Sequence, residues 1–132
     1  PGMFADRPVE VVLAADPAVE STPEDRPWDY ASTATKTDGA EPTVFAVLPL
    51  SSWQKLDLHR VTTITTAGEG GEDLRVDVPS DAIAGLLASN LVSIDGDTAA
   101  AARFAKAPAE GYGVDVFRAI MEVGDLPTTG RD

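Results

Sequence analysis

The sequence predicts a small single α+β domain, with strands mainly in the first two thirds and three to four helices mainly in the second half. Three observations predict it. β-branched and apolar runs at Val9–Leu13, Thr43–Leu48 and Leu74–Val78 suit pleated, half-buried surfaces. Ser51 stands three residues before Gln54, the spacing of a capping box that opens a helix. From Ser80 onward the chain alternates N-cap residues, apolar stripes and Gly or Pro stops, which are helix signals. A length of 132 residues, 43% of them hydrophobic, allows one domain with a modest core.

Taken in order, Pro1 to Arg7 is short and mixed, with Met3 and Phe4 its only large apolar residues. Pro1 is read as the start of a mature chain that has lost its initiator Met, and no signal-peptide pattern follows it. Val9, Val11, Val12 and Leu13 predict a strand ended by Pro17. Asp16 to Pro42 holds Pro17, Pro23, Pro27 and Pro42 among many Ser, Thr, Asp and Glu, and has no helix or strand period. That composition predicts an extended Pro-rich N-terminal arm over residues 1–41, ahead of a compact domain at 42–126 and a tail at 127–132.

Trp28 and Tyr30 sit inside this arm, and aromatics in a polar segment act as anchors. Two readings stand. In the commoner one both rings pack on the domain's own core. In the other, Met3, Phe4, Trp28 and Tyr30 form an interaction surface that docks on a neighbouring subunit.

Pro42 to Ile64 reads as a strand followed by a helix, with Trp53, Leu56, Val61 and Ile64 as the apolar side. Val61 to Ala67 is either the end of that helix or a strand. If it is a strand, it pairs with Leu74–Val78 across the glycine loop at 67–73. Ser80 is the expected N-cap of a helix carrying Ile83, Leu86 and Leu87 and stopping near Asn90. A short strand at 91–94 meets the Asp95-Gly96 turn, and Asp97 or Thr98 caps an alanine-rich helix to Lys106. Val114, Phe117, Ile120 and Met121 mark a last helix closed by Gly124, beyond which the end of the chain is expected to fray.

Chemistry-bearing residues are few. The lone histidine, His59, has no second His or Cys to complete a transition-metal site. Asp95 and Asp97 lack the ligand spacing of a calcium loop and suit a turn and a cap. Gly68, Gly70 and Gly71 stand among Glu69, Glu72 and Asp73, which would repel a phosphate. Ser51, Ser52 and Ser80 lie in no nucleophile elbow. With no cysteine, disulfides and thiolate sites are excluded. The formal charge of -12 makes nucleic acid and anionic membranes poor partners, and no apolar run is long enough to span a bilayer.

Pro42-Thr43-Val44-Phe45-Ala46-Val47-Leu48-Pro49-Leu50 before a helix resembles small tailed-bacteriophage morphogenesis and virion proteins, in which a strand with a Leu-Arg-Pro-Leu-like motif precedes a helix. Leu48 stands where that motif has Arg. Leu86-Leu87 through Ser93-Ile94-Asp95-Gly96 resembles their next helix and exit strand, although the Gly-Trp often found there is missing. Val114 to Leu126 resembles their closing helix. The resemblance implies a non-enzymatic structural protein of a phage particle, with no catalytic residue, no cofactor and no metal. The expected role is a capsid decoration (cement) or connector component held by the N-terminal arm. Its partners would be major capsid or head–tail proteins, in multiple symmetric copies.

The acidic surface suggests the outside of the virion, after assembly in the host cytoplasm. The alternative is a tail assembly chaperone acting transiently. A carboxylate- or metal-dependent hydrolase is the third reading.

Overall fold

The computed structural model describes residues 7–71, 73–108 and 112–123. It is an α+β domain with eight strands and four α-helices among those residues. The centre is a four-stranded antiparallel sheet of β1 (Val9–Leu13), β3 (Trp28–Tyr30), β5 (Phe45–Val47) and β8 (Leu91–Ile94), in the order β3-β1-β5-β8. Two ribbons stand apart from it. One is β2 (Val19–Ser21) with β4 (Thr35–Lys36); the other is β6 (Thr63–Ala67) with β7 (Asp73–Asp77).

The helices are α1 (Ser52–Val61), α2 (Ser80–Asn90), α3 (Thr98–Lys106) and α4 (Tyr112–Val123). Side chains alternate along a strand, so Val9, Val11 and Leu13 face the core while Glu10 and Val12 face the other way. Leu91 and Ile94 are three apart, yet both pack on the core. A bulge between their pairings with Val47 and Phe45 makes this possible, because the extra residue restores the facing. Phe45 and Phe104 meet edge to face at 5.5 Å and tie α3 to the sheet. α4 buries Gly113, Val116, Phe117 and Ile120, the i, i+3, i+4, i+7 pattern of a helix lying on a core.

The segment expected as an extended arm is folded over its described part, which corrects that expectation for residues 7–41. β1 is an inner strand, paired to β3 on one side and β5 on the other. Trp28 is completely buried in the core, so its proposed part in an external interface is also corrected. Its Nε1 donates to Glu122 on α4 at 2.7 Å, and Tyr30 meets its ring edge to face at 5.2 Å. Arg26 lies over the indole at 4.2 Å and pairs with Asp29 at 3.1 Å.

Side chains do the joining that secondary structure does elsewhere. Asp16 accepts from the backbone N–H of Ala18 and of Thr43, closing the loop between them. Tyr30 is half-buried against the same core. Met3, Phe4, Gly124 and the tail at 127–132 lie outside the described residues.

Other expectations resolve in detail. Residues 63–67 form a strand, so the hairpin reading holds, with a tight turn at Glu69–Gly71 between its arms, where Gly70 and Gly71 take positive φ of 80° and 69°. Pro79, not Ser80, takes the N-cap position of α2, and Ser80 becomes its first residue. Asp95 and Gly96 both adopt positive φ, 52° and 82°, and Asp97 caps α3 by accepting from Ala100. Val114 faces solvent; Val116 takes the core place expected of it.

Asp115, in the first turn of α4, has its pKa raised by burial, against the lowering effect of Arg118. A raised pKa means the fold favours the protonated form. Its contribution to stability is therefore fullest below the ordinary carboxylate range and is lost as pH rises through the raised value. Asp115→Asn should match the wild type in thermal melts near pH 3 and melt higher than it at pH 7.

Candidate functional site

Three features stand out between residues 51 and 90: an outward-facing helix, a solvated hairpin and a groove. The helix comes from a complete capping box. Ser51 Oγ accepts from the Gln54 N–H at 3.1 Å, and Gln54 Oε1 accepts from the Ser51 N–H at 2.9 Å. The same glutamine holds the helix to the body. Its Nε2 donates to Asn90 Oδ1 at 2.6 Å, while Asn90 Nδ2 donates to Gln54 Oε1 and to the carbonyls of Leu48 and Pro49. Asn90 is 2% exposed, so this amide pair is a buried polar clasp between α1, α2 and the end of β5.

Gln54 and Leu58 thus form the inner side of α1. At about 100° per residue the opposite side carries Trp53, Leu56 and Arg60. Trp53 is 78% exposed, and no residue of α1 is fully buried. The expected apolar side of Trp53, Leu56, Val61 and Ile64 is exposed, with Val61 at the border of the groove. The sequence held a signal for this: Arg60 falls between Trp53 and Leu56 around the helix, where a core-facing stripe has no place for a guanidinium.

The β6–β7 hairpin follows α1 directly in the chain. Its register sets Ile64 opposite Val76 and Thr66 opposite Leu74 on one face, with Thr63–Asp77 and Thr65–Arg75 on the other. Ile64, Leu74 and Val76 are all exposed, Leu74 at 71%. A lone two-stranded hairpin is marginal in water, and among the described residues this one has no third strand in its sheet.

Six of the seven exposed large hydrophobics found among the described residues lie between 53 and 76. Exposed large apolar side chains in this number are the chemistry of protein contact surfaces. Charge differs here too. Residues 51–66 carry Lys55 and Arg60 against Asp57 alone, whereas the stretch from 67 to 86 carries Glu69, Glu72, Asp73, Asp77 and Asp81 against Arg75.

The groove lies between α1 and α2 and holds about 430 Å³. Leu58, Val61, Ala82 and Leu86 line it, together with Asp57 and Asp81. It is an apolar trough with two carboxylates.

The residues considered for chemistry are otherwise engaged. His59 is exposed on α1. Asp95 Oδ1 accepts from the Val44 N–H at 2.9 Å. Among the described residues no three His, Asp or Glu side chains are placed to hold a metal ion. No described helix is long and apolar enough to cross a membrane. No family model, curated protein or solved structure matches the chain.

Proposed function

We propose that the chain is a non-enzymatic structural subunit of a tailed-phage particle, a capsid decoration or connector component on the outer surface of the virion. The observation that carries this reading is the apolar surface of α1 and the β6–β7 hairpin. The interior packs without those side chains, and they are the chemistry of protein contact. The phage assignment is supported by the resemblance of residues 42–126 in element order. The net charge of -12 supports protein neighbours over nucleic acid. Because residues 7–41 are bound into the sheet and its loops, attachment belongs to the α1–hairpin end and not to an arm.

Mass spectrometry of purified particles from the phage that encodes the chain should find it in stoichiometric amount. Trp53→Glu with Leu74→Glu should reduce its incorporation at least about tenfold while leaving the fold intact. Absence from finished particles, with capture of tail proteins in infected cells, would replace this reading with the transient chaperone role.

A further inference from the structure

Resting on the assembly reading above, we infer that the α1–α2 groove receives the outward face of α1 from a second copy of this chain. Three properties of the two surfaces lead there.

The first is placement. Trp53, Leu56 and Arg60 point away from the side of α1 that bears Leu58, which lines the groove. One molecule cannot seat its own knob in its own hole, so the two can meet only between copies. The second is chemistry. Trp53 is the kind of rigid, large anchor that dominates interface energetics, and Leu56 stands beside it around the helix. The trough opposite is lined by Leu58, Val61, Ala82 and Leu86 and, at about 430 Å³, is roomy enough for both side chains.

The third is charge. A chain of net -12 repels its own copies unless the contact pairs local opposites. Here Arg60 on the inserted face would approach Asp81 in the groove. Among the described residues Arg60 reaches Asp57, at 3.8 Å, with both side chains more than three-quarters exposed, so that pair holds it weakly. The hairpin begins two residues beyond α1. Its face of Ile64, Leu74 and Val76 would come against the same neighbour, giving that unsupported ribbon the packing it lacks.

Sedimentation of the full chain from about 1 to 100 μM should show mass rising with concentration, since a standard-size interface commonly falls in this range. The rise should weaken with added salt. Acrylamide should quench Trp53 in dilute solution and lose access to it as the mass rises, while Trp28 stays shielded throughout. Trp53→Glu should sediment as a monomer with unchanged circular dichroism.

Arg60→Asp and Asp81→Arg should each weaken association at least about tenfold. An equimolar mixture of these two variants should recover most of it, because one supplies an acidic knob and the other a basic groove. Simple loss of folding would not produce that recovery. A wild type that stays monomeric across the range, or a mixture no better than its components, overturns the contact. A monomer still stoichiometric in particles would sink this contact alone; an oligomer absent from particles would sink the virion assignment alone.

Discussion

Trp28→Ala should remove about 3–5 kcal/mol of folding stability, a large share of the ~5–15 kcal/mol that a domain of this size possesses. The indole is fully buried, so truncation leaves a cavity at the junction of β3 and α4. It also deprives the Glu122 carboxylate of its 2.7 Å donor and Arg26 of the ring beneath it. Urea denaturation followed by circular dichroism would measure the loss. Trp53→Ala is the natural control: an exposed side chain removed without a cavity should shift stability by no more than about 0.5 kcal/mol. If Trp28→Ala left the midpoint unchanged and altered only partner binding, the buried place of this tryptophan would be refuted and the external anchor restored.

Asn90→Leu is expected to cost about 2–4 kcal/mol, although leucine is similar in size and more apolar. Asn90 Nδ2 serves the carbonyls of Leu48 and Pro49 as well as Gln54, and leucine leaves all of these facing an apolar side chain. The loss would be local as well as global. With Gln54 no longer clasped, α1 loses its buried polar link to α2 and to the end of β5. Amide hydrogen exchange in residues 52–61 should then accelerate relative to β1 and α4. Protection unchanged in α1 would show that the amide pair is not what holds the helix in place. Since the same pair aims Trp53 outward, the variant should also weaken self-association.

Much of the fold was legible, for identifiable reasons. Ser51 and Gln54 announced α1 because a capping box is a local device that needs no distant partner. Asp95-Gly96-Asp97 announced both a turn and a cap for the same reason. Leu91–Ile94 was readable as a strand, but its bulge was not, because the bulge exists only in relation to β5.

The stretch from Asp16 to Pro42 was opaque. Its strands are two or three residues long, too short to display a period, and Asp16 closes the loop through partners 2 and 27 residues away. The candidate site was half legible. The apolar residues of α1 and the hairpin are plain in the sequence, but their spacing does not say that they face solvent. Which side of a weakly amphipathic helix faces the body is settled here by a polar clasp, and hydrophobic spacing carries no record of it.

The bond between Trp28 and Glu122 spans 94 positions of the chain. A ribosome making this protein releases Val11, Leu13 and Trp28 long before it has synthesised β8 or α4, so the earliest strand waits with its greasy side uncovered. Nothing short of the chain through α4 can shelter it. Acquisition of the native state is thus deferred until α4 has been made, and a chain stopped before Tyr112 should be a substrate for chaperones and proteases rather than a smaller working version.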